Sequence, residues 1–128
     1  MDERFGKRYK LSSKKLIQQV FTEGEKVNKL TLLLRFIKTN EDLPAPFQIA
    51  ISVPKRNFKH AVDRNRIKRM IVEAVRKNKH IIEEKNTHSD STLVLFLIFS
   101  DKKMPNYNLL FASVESLFQK LPTHKDND

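Results

Sequence analysis

Apolar residues recur along this chain with two periods, and the switches between them mark out its elements. Leu16, Ile17, Val20 and Phe21 follow at helical spacing, Ser12 or Ser13 stands ahead of them as a cap, and Gly24 follows, which predicts a short amphipathic helix ending near Glu23. The period then becomes two. Leu30, Leu32, Leu34 and Phe36 fall on one side of a strand predicted over Val27 to Lys38, and Thr31, Leu33, Arg35 and Ile37 on the other. The polar, proline-containing stretch Thr39 to Pro46 reads as a loop. Beyond it Phe47, Ile49, Ile51 and Val53 alternate with Gln48, Ala50 and Ser52, a second strand expected to pair with the first as an antiparallel hairpin. Pro54 stops that strand. A long helix is predicted next, starting at His60 or Asp63 and running to about Glu83, with Ile67, Met70, Ile71, Ala74, Val75 and Asn78 on its inner face. The run Thr92 to Phe99 does not alternate, as expected of a central strand covered on both faces. Because a helix separates it from the preceding strand, a parallel β-α-β connection is predicted. After Pro105, Leu110, Phe111, Val114, Leu117, Phe118 and Leu121 form the stripe of a last helix. The fold class is α/β, an α+β two-layer arrangement in the order α-β-β-α-β-α. One domain is expected over residues 12–121, between a flexible basic arm (1–11) and a disordered tail (122–128).

Composition agrees with a single domain, since 128 residues suffice for one core. The chain has no cysteine, which excludes disulfides and thiolate metal sites and suits a reducing cytoplasm. Its longest apolar run, Leu93 to Phe99, is far short of the roughly 20 residues that cross a bilayer. No apolar run follows the N-terminal bases, so no signal peptide is expected and a cytoplasmic location is.

Charge changes the picture most. Between Lys55 and Lys79 stand ten Lys or Arg residues and two acids, so this segment carries +8 of the net +10. Such a density repels itself and becomes favourable when a polyanion's phosphates replace its counterions. On the long helix Asn65, Arg69, Val72 and Arg76 follow at spacings of four, three and four, opposite the apolar stripe; Arg64 and Lys68 flank that line on one side and Arg66 on the other. Lys55, Arg56 and Lys59 continue it. A solvated helix face is the plain alternative, but the excess of bases favours nucleic acid, whose phosphates match the guanidinium fork, while Asn65 suits a ribose, a base edge or a metal's water shell.

A protein-borne active site is not apparent. His60, His80, His88 and His124 lack zinc spacing, and two glycines, Gly6 and Gly24, make no phosphate loop. Asp63 and Glu73 are separated by about 15 Å of helical rise, too far to share an ion. They read as a cap and as an ion-pair partner of Arg69 or Lys77. Phosphodiester hydrolysis needs clamped metals, and no carboxylate cluster here holds them, so no catalytic residue and no metal ligand is expected in this chain.

The run Arg64 to Arg69, RNRIKR, followed by Glu73, resembles the signature helix of the bacterial ribonuclease P protein component. VFTEG at Val20 to Gly24 and SVPKR at Ser52 to Arg56 are similar to two further stretches of that family, so the resemblance covers nearly the whole chain. It implies a ribosomal protein S5 domain 2-like fold with a left-handed β-α-β crossover, whereas physics alone favours the right-handed one. It also implies binding to a catalytic RNA through the basic helix, with the Mg²⁺-dependent chemistry in that RNA, and capture of the single-stranded 5′ leader of precursor tRNA between the first helix and the sheet. The matching residues would be Ile17 and Phe21 from the helix and Arg35 or Phe36 from the strand, with rings available to stack on bases. Ile17 stands where the family often has an aromatic. Val72 stands where the family pattern has an arginine, and Arg76, on the same stripe, is expected to supply the missing charge. Two other readings use the same basic helix: a ribosomal or assembly protein that clamps RNA, and a DNA-binding protein, disfavoured because no helix-turn-helix spacing precedes Asp63. A helix destined for a partner protein's groove fails, since its apolar side belongs to its own core.

Overall fold

The computed structural model describes residues 6–85 and 91–122. Its elements are α1 (Lys14–Glu23), β1 (Glu25–Lys29), β2 (Leu32–Thr39), β3 (Phe47–Ser52), α2 (Ala61–Lys85), β4 (Thr92–Phe99) and α3 (Tyr107–Lys120), preceded by a 3₁₀ turn at Lys7–Tyr9. The helix ends follow the predicted chemistry. Ser13 caps α1 by accepting from the Leu16 amide at 3.2 Å, and the Gly24 amide closes it on the Val20 carbonyl at 2.9 Å. Asp63 lies in the first turn of α2, not at its cap, where a carboxylate meets the positive end of the helix dipole.

The stretch predicted as one strand over Val27 to Lys38 is two strands joined by a tight turn at Leu30 and Thr31, so the order gains a strand, α-β-β-β-α-β-α. Nothing in the residue types announces that turn. Leu30 occupies the left-handed region at φ 52°, which Gly or Asn usually fills, and its side chain is 70% exposed. The expected hairpin between β2 and β3 is also corrected. The sheet order is β1-β2-β4-β3: β4 inserts between them, antiparallel to β2 with Leu34 opposite Leu97, and parallel to β3 with Ile49 opposite Leu95. The physical reason is the one that marked β4 as central, its apolar residues on both faces, which are best buried between two neighbours.

Those two faces give the molecule three layers where two were expected. Leu32, Leu34, Phe36, Phe47, Ile49, Leu93, Leu95, Leu97 and Phe99 pack with Ile67, Ile71, Val75 and Ile82 of α2 and Val114, Leu117 and Phe118 of α3. The alternate residues Ile37, Ala50, Val94 and Phe96 pack with Leu16, Ile17 and Val20 of α1 on the other side. Two polar ties fasten α2 to α3. The buried Asn78 amide donates to the carbonyls of Ala74 at 2.9 Å and Phe111 at 3.4 Å, and Lys85 caps the end of α3 by donating to Gln119 and Leu121 carbonyls at 2.7 and 2.8 Å.

The basic arm expected over residues 1–11 is corrected for residues 6–11. The Leu11 amide donates to the Ile49 carbonyl at 3.0 Å, Gln48 Nε2 donates to the Arg8 carbonyl at 2.9 Å, and Tyr9 and Leu11 are buried. Two apolar residues two apart are too short a pattern to read as an edge strand, yet they suffice to seal the free side of β3. Residues 1–5 and the tail from residue 123 onward lie outside the described residues.

Candidate nucleic-acid interface

Helix α2 presents the basic face where its wheel places it, but its members differ in what they have left to offer. Lys55, Arg56 and Lys59 of the loop before α2, and Arg66, Lys68 and Arg69 on it, are exposed and have no acidic partner among the described residues. Asn65 is exposed beside them. Arg64 is different: its Nη1 donates to the Phe58 carbonyl at 2.7 Å, which ties the loop to the first turn of α2 and holds Lys55, Arg56 and Lys59 near the helix face. A side chain predicted to contact RNA thus also builds the platform.

Arg76 departs furthest from expectation. It lies on the predicted line, but its Nε and Nη2 donate to the two carboxylate oxygens of Glu73 at 3.1 and 2.6 Å, and only 18% of its side chain is exposed. Glu73 also meets Lys77 at 3.4 Å, and does not pair with Arg69. The hydrogen bond from Arg76 is the main reason the Glu73 carboxyl sits below its ordinary pKa, with Lys77 adding to the effect. The pair is therefore intact at neutral pH; its stabilisation is present above the ordinary carboxylate value and is lost as the pH falls through the lowered one. Bidentate pairing within the helix largely cancels Arg76's charge, so Arg76 is no simple substitute for the arginine that Val72, half-buried, displaces.

The second surface is the cleft between α1 and the sheet. Phe21 is 41% exposed, its ring meets Phe96 edge-on with centroids 4.8 Å apart, and the Arg35 guanidinium lies 5.1 Å from its centroid. Arg35 Nη2 also donates to the Phe21 carbonyl at 2.7 Å, while its Nε is shielded from solvent and has no hydrogen-bond partner. Ile17, one turn earlier on α1, is half-buried beside this cluster. Phe36 is excluded from it. Being the neighbour of Arg35 on a strand, it faces the other way and is buried against α2 and α3. The ring that does reach the cleft is Phe96, which stands opposite Arg35 in the β2–β4 register. Pattern reading missed Phe96 because every second residue of β4 is apolar on either face; the pairing of β4 with β2 would have identified it.

Among the described residues no group of three or more His, Cys, Asp or Glu side chains converges as a metal site, and no helix is long and apolar enough to cross a membrane.

Comparison with known proteins gives a consistent answer. The family model described as Ribonuclease P matches residues 5–122. The ribonuclease P protein component of Porphyromonas gingivalis is 32% identical over 108 residues, which cover 81% of this chain and 73% of the relative. That of Borreliella afzelii is 30% identical over 112 residues, covering 87% and 90%. Among solved structures, the ribonuclease P protein of Staphylococcus aureus superposes with a TM-score of 0.68 at 22% identity, covering 87% of this chain and 93% of the other. The Thermotoga maritima protein does so with a TM-score of 0.69 at 19% identity, covering 88% and 96%. At those identities the structures speak for the fold, and the α+β architecture is shared. With the family model spanning nearly the whole length and the signature helix carrying the basic face, this chain belongs to the ribonuclease P protein family.

Proposed function

We infer that this chain binds the RNA subunit of ribonuclease P through α2 and the loop before it, and receives the 5′ leader of precursor tRNA in the α1 cleft. Membership of the family makes it the protein component of the ribonucleoprotein endonuclease that matures tRNA 5′ ends. The observation that carries the reading of the basic face is the gathering of six cations without acidic partners among the described residues, on a helix side and a loop that Arg64 holds together. Six such groups displace condensed counterions from a phosphate backbone, which lowers the repulsion between two RNAs brought into one complex. In the cleft, Phe21 offers an exposed ring for an unpaired base and Arg35 an unsatisfied Nε–H beside it, the two components a single strand needs. The cleavage chemistry belongs to the RNA subunit and its Mg²⁺ ions. The work is expected in the cytoplasm, where the precursor is made.

The test is reconstitution. The purified protein, a ribonuclease P RNA and precursor tRNA are combined at low Mg²⁺, and cleavage at the mature 5′ end is measured. Stimulation by protein with RNA, and none by protein alone, is expected; absence of stimulation would reduce the reading to generic RNA binding. In the same assay Phe21→Ala is expected to weaken binding of substrates with a long leader about tenfold and to leave leaderless tRNA unaffected. Equal loss on both substrates would remove the leader from the cleft.

Glu73→Gln tests the balance of charge on α2. Neutralising Glu73 removes the carboxylate charge beside Arg76 and raises the net charge of this face by one, so the affinity for RNA is expected to rise severalfold and the log-log salt dependence to steepen by a little under one unit. An unchanged slope would show that the charge at Glu73 and Arg76 does not act on the RNA.

A further inference from the structure

Where the first half of α2 meets the start of α3, Arg66, Arg69, Met70, Glu73, Lys77 and Tyr107 line an open groove of about 430 Å³. Two features set it apart from the rest of the basic face. Its floor is apolar, made by Met70 and the Tyr107 ring, both of which also pack on the main core. The Tyr107 hydroxyl is shielded from solvent and has no hydrogen-bond partner among the described residues. A hydroxyl normally finds a partner when shielded, so an unpaired one on a residue that lines a groove is a donor awaiting an acceptor. A phosphate alone would use the cations of this groove and leave the apolar floor without a role. The Glu73 carboxylate, already pinned by Arg76 and Lys77, is not free to turn toward a ligand, and it also opposes a bare anion.

We propose that this groove takes one unstacked nucleotide of the RNA subunit, its base lying on Met70 and Tyr107 with a carbonyl or ring-nitrogen acceptor on the Tyr107 hydroxyl, and its phosphate on Arg66 and Arg69. The inference rests on the reading of α2 as the RNA-binding face and extends that face onto α3, an element with no role in the basic stripe. It gives the α2 side of the protein a contact that reads a base of the RNA subunit, where its exposed cations meet backbone charge.

Tyr107→Phe tests it, because the ring and its packing against Phe111, 6.3 Å between centroids, are kept while the hydroxyl is lost. Affinity for a ribonuclease P RNA is measured against salt for the wild type, for Tyr107→Phe and for the double variant Arg66→Ala/Arg69→Ala. Base accessibility in each complex is mapped with reagents that modify unpaired bases. The expected result is an affinity about fivefold lower for Tyr107→Phe with the salt slope unaltered, as for loss of one neutral hydrogen bond, and exposure of one unpaired base that the wild type protects. Wild-type affinity and protection in Tyr107→Phe, with loss of both affinity and slope in the double variant, would overturn the nucleotide groove and leave the basic face standing. A double variant indistinguishable from wild type would overturn the reading of α2 itself.

Discussion

Replacing Arg66, Lys68 and Arg69 together with alanine is expected to lower the affinity for ribonuclease P RNA about a hundredfold near physiological salt and to halve its salt dependence. The six cations that have no acidic partner among the described residues predict a wild-type log-log slope of roughly −4 to −5, and removing three of them leaves about −2 to −2.5. Stability should not suffer. All three side chains are exposed and make no ion pair with described residues, and removing like charges from one helix face relieves repulsion within the folded chain, so thermal unfolding is expected at the wild-type temperature or slightly above it. A large loss of affinity at constant slope would mean that these residues act through shape or base contacts instead of charge. A wild-type slope near zero would dispose of the electrostatic footprint altogether.

This result is calculable because α2 is the part of the molecule most legible in the sequence. A helix packed on one side and solvated on the other writes both faces into its 3.6-residue period, so Ile67, Ile71, Ala74, Val75 and Asn78 could be assigned to the core and Arg66, Lys68 and Arg69 to the surface from spacing alone. Period does not say how the surface groups pair among themselves. Arg76 lay on the correct line and still turned out to be held by Glu73, because side chains three apart on a helix compete with any external partner.

The sheet was less legible, for a related reason. Alternation identifies which residues of a strand share a face but not which strand lies beside which, and the positions of β2, β3 and β4 are decided by the shape of the whole core. The misplaced hairpin and the unnoticed turn at Leu30 both follow. The cleft inherits that limit: Phe21 and Arg35 could be named from their own elements, whereas Phe96 joins them only through the register of β4 on β2. Placing Phe36 in the cleft ignored the parity that sends it to the other face. The groove at Tyr107 is further removed still from sequence reading, since it exists only where α3 crosses α2.

Gly24→Ala is expected to be the most damaging single substitution of a small residue in the chain, with a loss of about 3 kcal/mol and a fall in melting temperature of about 10 °C. The sequence places Gly24 at the end of α1, and the backbone there has φ −72° and ψ 149°, which any residue can adopt, so conformational freedom is not what requires a glycine. The requirement is steric. A Cβ at this position would overlap the Val20 carbonyl and stand 3.1 Å from that of Phe36, and both belong to backbone that cannot give way without moving α1 or β2. Gly6→Ala provides the control, since a Cβ there meets nothing within 4 Å and its effect should stay within about half a kcal/mol. Calorimetry of the two variants checks the contrast, and equal melting temperatures would refute the steric account. The functional consequence is also specific. Gly24 joins α1 to β1 three residues after Phe21, so relief of the overlap by a shift of α1 would open the contact between Phe21 and Phe96 and the hydrogen bond from Arg35 to the Phe21 carbonyl. Below its melting temperature the variant should therefore lose leader affinity while keeping the salt slope that α2 confers, which separates damage to the cleft from damage to the basic face.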